Sequence, residues 1–461
     1  MNYVAKHFIP AALASLAGMS IAAVTAEEAK QLNGPTLTAW GAEKAANKDG
    51  TIPPYTGEGI EAPAGYGSDP KDPHKRPDPF ANEKPLFSIT AQNAAQYADK
   101  LDGMLEMFKV YPNFRMDVYP SHRTVVYPKY VLDNTLKNAT ACKGADNDTR
   151  LEGCFGGFAF PIPQNGAQVM WNKLTAFRGY AWAGFSNSYV VASNGSVSLV
   201  AGNRVWEQSQ YYDSKATAPA TAKTLYWSFR MNTESPARRA GERLVLLDPL
   251  DVLNVGRRAY QYIPGQRRVK LAPDLAYDTP SPSGGGAATI DDASVFLGAV
   301  DRYDWKLVGK KEKLIMYNNF KLTDHTCPDA KLLTKNFANP DCVRWELHRV
   351  WVVEGKLKPG LRHVYPRRVF YWDEDAPGAG LSENYDGANK LYRVVSALTW
   401  PYWKNEVGGG FAADGTLNYD LQTGVWSAQG VYGEVGAGIG LSSPQPDNFF
   451  SPEVLAGEGI R

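Results

Sequence analysis

From Arg344 to Glu354 the chain alternates. Trp345, Leu347, Trp351 and Val353 fall on one side, and Arg344, Glu346, His348 and Glu354 on the other. A repeat of two is the period of a β-strand, whose successive side chains point to opposite faces. Arg367–Asp373 and Leu391–Trp400 read as further strands, the second introduced by the Asp386-Gly387 turn signal. Leu417–Leu421 and Val425–Gln429 predict a hairpin closed through Gln422-Thr423-Gly424. Lys223–Met231 and Tyr260–Leu271 resemble these strands. Strands that follow one another through turns predict an antiparallel meander with its few helices against one face.

Helical spacing shows in two places. After Thr90, a candidate N-cap, Ala94, Tyr97, Leu101, Met104, Leu105 and Phe108 recur at that spacing, and Pro112 lies just beyond. A second short helix is predicted after Asn165-Gly166, carrying Val169, Met170, Trp171 and Leu174. Residues 27–85 are so rich in Gly and Pro that they predict an extended arm lying on the body, with one short helix over Ala39–Ala46. Pro280–Ala288 reads as a flexible loop and the Gly-, Ser- and Pro-rich C-terminal tail as a loose end.

The N-terminus carries an address. Lys6 precedes an apolar, Ala-rich stretch from Phe8 to Val24, and Val24-Thr25-Ala26 has the small-residue pattern of signal-peptidase sites. Cleavage after Ala26 is expected; Pro10, Gly18 and the alanines make the stretch weakly hydrophobic for a membrane span. The division expected is therefore a signal peptide over 1–26, an arm over 27–85 and one large β domain over 86–461. Four cysteines allow three pairings. Local pairing, Cys142 with Cys154 and Cys327 with Cys342, closes two short loops and is the expected one. The absence of any C-x-x-C pair argues against zinc, and disulfides suit an exported protein.

Composition narrows the function. With 44% hydrophobic and 21% charged residues among 461, the chain is not globally disordered. Lys+Arg 49 against Asp+Glu 48 leaves a net charge of +1, which gives no attraction to nucleic acid. Aromatics at 12%, with 43 Gly and 31 Pro, agree with β structure. Length alone, at roughly 150 residues per domain, suggests about three domains; the single series of strands argues for one.

Candidate chemistry is sparse. The chain has no nucleophile elbow, no H-E-x-x-H and no phosphate-binding loop; Gly284-Gly285-Gly286 reads as a plain loop. Glu346 and His348 beside Arg344 form a potential acid/base pair, with cross-strand charge pairing on a sheet surface as the preferred reading. Asp373-Glu374-Asp375 with Glu383 and Asp386 clusters carboxylates, but Pro377 and Asn384 stand where an EF-hand needs ligands. A solvated loop is expected there, with no metal and no cofactor. Arg349 falls on the apolar side of its strand. It is either paired in the core or lines a cavity, where it holds a ligand's polar head or latches a covering helix. The many Tyr and Trp either fill a core or line an apolar pocket, and their polar tips favour the pocket. The residues nominated for ligand contact are Arg349, Trp351, Leu347, Trp345, Phe370 and Trp372 on strands. Tyr97, Leu101 and Phe108 join them on the Thr90–Phe108 helix, expected to lie as a lid over the open side.

Several stretches form a familiar ordered set. They are Gly41-Ala42-Glu43 with Asp49-Gly50-Thr51-Ile52-Pro53, Val118-Tyr119-Pro120-Ser121-His122-Arg123, and Phe160-Pro161-Ile162-Pro163-Gln164-Asn165-Gly166 with Met170-Trp171-Asn172. Asp301-Arg302-Tyr303-Asp304-Trp305-Lys306, Glu346-Leu347-His348-Arg349-Val350-Trp351-Val352-Val353 and Tyr371-Trp372-Asp373-Glu374-Asp375 complete it. From about Leu37 to Leu421 the set resembles the bacterial domain-of-unknown-function 1329 family. That family is described as similar to the LolA/LolB outer-membrane lipoprotein-sorting proteins, periplasmic carriers whose curved antiparallel sheet holds acyl chains.

The resemblance implies a mainly β fold, a large curved antiparallel half-barrel with a few helices over its concave face. It also implies a periplasmic location and a hydrophobic cargo: a lipid, a lipoprotein acyl chain or a sterol-like molecule. The partners implied are an outer-membrane barrel protein and an RND-type exporter. It supplies no catalytic residues. A periplasmic carrier passing its ligand between envelope components is the leading expectation. The alternatives are a docking subunit of the exporter and a hydrolase acting on lipid or polysaccharide through Glu346, His348 or the Asp373 cluster.

Overall fold

The computed structural model describes residues 24–446 and 448–457, without the side chains of Val407 and Asp414. Most of the expected signal peptide lies outside them. Its expected cleavage point falls at a short helix, Ala26–Ala29, capped by Thr25.

The strands begin with β1 (Phe87–Ile89) and β2 (Met116–Val118), followed by an isolated pair, β3 (Lys143–Ala145) and β4 (Arg150–Glu152). A first meander comprises β5 (Ala181–Val191), β6 (Val197–Gln208), β7 (Leu225–Ser235), β8 (Arg243–Pro249), β9 (Arg258–Ile263) and β10 (Arg268–Leu271). A second comprises β11 (Tyr303–Met316), β12 (Trp345–Leu357), β13 (Arg367–Asp373) and β14 (Gly380–Tyr385), then β15 (Leu391–Pro401), β16 (Phe411–Asp420) and β17 (Trp426–Val431). β18 (Gly438–Leu441) comes last.

All but β3 and β4 join one 16-stranded sheet, ordered β1-β2-β12-β13-β14-β15-β16-β17-β5-β6-β7-β8-β9-β10, with β11 against β12 and β18 against β5. Pairing is antiparallel except for the single parallel contact of Trp345 with Val118. The expected mainly β, antiparallel architecture is what the chain adopts. The meanders meet where β17 and β18 both run along β5. Gly184 permits this close approach, since a Cβ there would lie 2.0 Å from the Gly438 carbonyl oxygen.

The register carries one face across the whole sheet, from Trp351 through Trp372 and from Phe370 through Ser382, Val395 and Asn418 to Ser427. Beyond the seam it continues through Ser186, Asn203, Val205 and Met231 to Leu244. The helix Gly166–Leu174 covers this face over β11–β13, where Met170 Sδ meets Trp372 Nε1 at 3.4 Å. As expected, Asn165 caps that helix, accepting from the Gln168 N–H at 2.9 Å.

The expected helix over Thr90–Phe108 is broken into Ala94–Tyr97, Ala98–Leu101, Asp102–Met104 and Leu105–Val110. Asp102 is left-handed, with φ 48°, and its carboxylate turns to Lys311 Nζ at 2.6 Å. A Cβ on Gly103 would lie 2.5 Å from Glu383 Oε2, so the chain is pressed onto β14 at the break. These contacts put the segment on the opposite sheet face, so it is no lid over the open side. The expected Ala39–Ala46 helix is instead a turn closed by the Leu37–Glu43 bridge, with Thr38 Oγ1 accepting from the Ala42 N–H. Nor is the described part of the C-terminal tail loose. Phe450 and Leu455 are buried against Leu225, Val245, Leu247 and Tyr262, and Arg230 donates to the Phe449 carbonyl at 3.0 Å.

The arm is fastened along its length. Arg76 makes a paired contact with Glu406 (2.9 Å each) beneath Tyr66, Tyr402 and Trp403, and Trp40 packs on Tyr127 and Phe158. Both expected disulfides, Cys142–Cys154 and Cys327–Cys342, are formed. No helix among the described residues is long and apolar enough to cross a membrane.

Candidate ligand cavity

Small side chains at Ser186 and Ser188 on β5 leave space on the shared face that larger neighbours would fill. Around them stand Trp182, Val205, Trp227, Phe229, Met231, Leu244 and Leu246, with Thr416, Gln429, Tyr432 and Ile439 opposite. The result is a cavity of about 150 Å³, roofed by Ser281–Ser283 and by Ile290, Ala293, Ser294 and Leu297. Its wall is mostly apolar with a few convergent polar groups, the usual character of a small-molecule site. A wider depression of about 960 Å³ lies on the opposite face, but Asp102, Glu106, Lys109 and Lys390 line it, and it reads as solvated surface.

The roof is latched by buried charge. Arg368 on β13, with no exposed area, donates to Asp291 (2.8 Å), Asp292 (2.9 Å) and Asn384 (2.8 Å). His363 Nε2 lies 3.0 Å from Asp291, and Tyr365 donates to Asp292 at 2.8 Å. Arg393 reaches the Gly286 carbonyl at 3.0 Å. Burial disfavours the charge on Asp291, but Arg368, His363 and Thr289 outweigh it and hold the carboxyl at about 2. The Pro280–Ala288 loop, expected to be flexible, is thus the start of an anchored roof.

Both charged side chains among the described residues of the cavity wall are paired. Glu207 lies 3.1 Å from Arg178, and Arg257 grips Asp248 through Nε (2.7 Å) and Nη2 (2.6 Å) while donating to the Leu297 carbonyl at 3.1 Å.

None of the nominated ligand residues lines this cavity. Phe370 and Trp372 are buried under Phe296 and the Gly166–Leu174 helix, and Trp345 is buried in the core. Leu347 and Trp351 are half-buried, the latter beneath Lys310 Nζ at 4.6 Å. Leu101 and Phe108 are buried beneath the broken helix, and Tyr97 stacks on Phe87. Arg349 is paired with Glu374 at 3.1 Å and donates to the Ala45 carbonyl at 2.6 Å, so it latches the arm rather than a helix.

The Glu346–His348 face, expected at a surface, is sealed instead. Two separate segments, carrying Glu83 and His122, lie over it, with Arg344 bridging to Glu83 at 2.6 Å. His348 stacks on Tyr317 between Glu346 (3.2 Å) and Asp373 (3.0 Å). Burial opposes both charges. His348 and Arg344 nonetheless hold Glu346 at about 2, and Asp373 and Glu346 push His348 up to about 9. The Asp373–Asp375 segment is likewise buried rather than solvated. Arg123 binds Asp375 at 2.6 Å and 2.9 Å. No cluster of three or more His, Cys, Asp or Glu among the described residues is arranged to hold a metal ion.

The cavity wall on β5–β8 was not legible in the amino-acid pattern. Its one signal was Ser186, Ser188 and Asn203 interleaved with aromatic residues, a pattern shared by an ordinary solvent-facing strand.

Residues 88–456 match a family described as "Protein of unknown function (DUF1329)". An uncharacterized protein of Pseudomonas aeruginosa is 38% identical over 455 residues, 98% of this chain and 97% of its own length. Among solved structures, a DUF1329 family protein from Desulfovibrio piger is 12% identical and covers 60% of this chain and 90% of its own, with a TM-score of 0.39. A putative outer membrane lipoprotein-sorting protein domain from Vibrio parahaemolyticus is 12% identical and covers 63% and 98%, with a TM-score of 0.42.

Proposed function

This chain belongs to the DUF1329 family, and from the geometry of its cavity we propose that it is an exported carrier of a small apolar molecule. The carrying observation is the apolar wall of Trp182, Trp227, Phe229, Met231, Leu244 and Leu246 beneath a roof held by Arg368 and Arg393. Apolar surface sheltered there gains roughly 25 cal/mol per Å², enough to hold a ligand without covalent chemistry. A volume of about 150 Å³ takes a ring or a short chain segment. A whole lipoprotein anchor exceeds it, which narrows the cargo to small hydrophobes or the end of a longer chain.

Export to the periplasm is part of the reading, supported by the Lys6–Ala26 leader pattern and the two disulfides. There the carrier would pass its ligand between envelope components, with a barrel protein and an RND-type exporter as candidate partners. Glu346 and His348, committed to internal ion pairs, favour a carrier over a hydrolase.

The test is extraction of the natively purified protein followed by mass spectrometry. Wild-type protein is expected to release an apolar molecule, and Leu246→Trp, whose ring fills the cavity, to release none. Identical extracts from the two proteins would overturn the proposal.

A further inference from the structure

We infer that the cavity selects an uncharged ligand bearing a hydrogen-bond-accepting oxygen, such as an ester, ketone or alcohol. This inference rests on the carrier reading and names its class of ligand. Among the described side chains, two charged ones line the cavity, and each already has its counter-charge. Glu207 faces Arg178, and Arg257 faces Asp248 through both arms of the carboxylate. An ionic ligand entering this wall would bring a charge that no unpaired counter-ion among the described residues meets. An uncharged ligand leaves the balance intact.

Two groups at the wall offer further donors. Gln429 Oε1 accepts from Ser281 Oγ at 3.2 Å, which orients the amide and leaves Nε2 buried with no partner. Arg257 spends Nε and Nη2 on Asp248 and the Leu297 carbonyl; its Nη1 donates to no group among the described residues. Gln429 Nε2, buried without a partner, is destabilising, so an acceptor oxygen placed within its reach gains a hydrogen bond that the cavity wall does not supply.

Three probes sharing one chain separate the possibilities: methyl octanoate, octanoate and octylammonium, titrated calorimetrically at pH 8. Methyl octanoate is expected to bind roughly tenfold or more tightly than either ion. Equal affinities, or tighter binding of an ion, would overturn the selectivity while leaving the carrier reading standing. No binding of any probe would remove both.

Variants read the cause. Gln429→Leu is expected to weaken methyl octanoate about fivefold, the loss of one hydrogen bond. Unchanged affinity would remove the donor half of the argument. Asp248→Asn frees the Arg257 charge and is expected to shift preference towards octanoate. Glu207→Gln frees Arg178 in the same sense and serves should the first variant fail to fold. Unaltered preference in a folded variant would overturn the argument from paired charge.

Discussion

Lys313 Nζ and Glu383 Oε1 stand 3.1 Å apart, with neither side chain open to solvent, on the sheet face that turns away from the cavity. Lys313 also donates to the Leu101 carbonyl at 2.8 Å and lies 3.7 Å above the Tyr371 ring. Glu383 accepts from the hydroxyls of Tyr371 and Tyr385, each at 3.1 Å. The pair therefore fastens the broken helix to β11 and β14.

Removing one member strands the other. Lys313→Met is expected to lower unfolding free energy by about 3–5 kcal/mol in urea titration, the usual loss when a buried pair is halved. The double variant Lys313→Met/Glu383→Gln leaves no uncompensated charge and is expected to recover a substantial part. A double variant as unstable as the sum of the singles would contradict the pairing.

His348 gives the stability an alkaline limb. Its folded-state pKa of about 9 lies above the ordinary histidine value of 6.5, so the folded chain holds an extra proton between them. That contribution is full below about 6.5 and is lost as pH rises through about 9. Glu346, held at about 2 from 4.5, contributes above about 4.5 and loses its share as pH falls through about 2. Thermal unfolding followed from pH 6 to 10 should show a decline that flattens in His348→Gln. A decline of equal slope in the variant would assign it to other groups.

The roof depends on Arg368. Arg368→Leu leaves Asp291 and Asp292 buried without their cation, and amide exchange across 286–297 is expected to accelerate. Exchange in the Lys129–Ala141 helix, which the roof network does not touch, should hold steady. Uniform acceleration over both segments would mean global destabilisation instead of a local latch.

The Cys327–Cys342 bridge closes a loop of 15 residues. Cys342→Ser is expected to remove about 3 kcal/mol of stability, as loop-closure entropy predicts. The reducing agent dithiothreitol should lower the melting temperature of wild type more than that of the variant. Equal sensitivity of the two proteins to reductant would show that this bridge contributes little.

Much of the fold was legible because it is written locally. The alternation in β12, the turns flanking β15 and β17, and the Asn165 cap each act within a few residues, and each is realised. The broken helix also left a trace: Asp102-Gly103 interrupts a periodic stretch, and both residues favour a left-handed turn. What could not be read was which face of a strand meets solvent. Glu346 and His348 looked external because they are polar, yet the segments around Glu83 and around His122 cover them. Conversely, Ser186, Ser188 and Gln429 wall a cavity only because the roof, distant from all three in sequence, is laid over them. Polarity marks burial only when one face of a sheet is wet, and here both are covered.

The seam at β5 also bears on how the chain comes together. β5 emerges early, yet the strands that flank it there, β17 and β18, are among the last to be made. Until then the first meander carries a bare edge of unsatisfied backbone groups, open to mispairing with other chains. Pairings so distant in sequence form slowly, because a long loop must close before any contact rewards it. The molecule's assembly is consequently decided at its C-terminal end, and a chain ending before Gly438 would expose the Trp182–Phe185 edge.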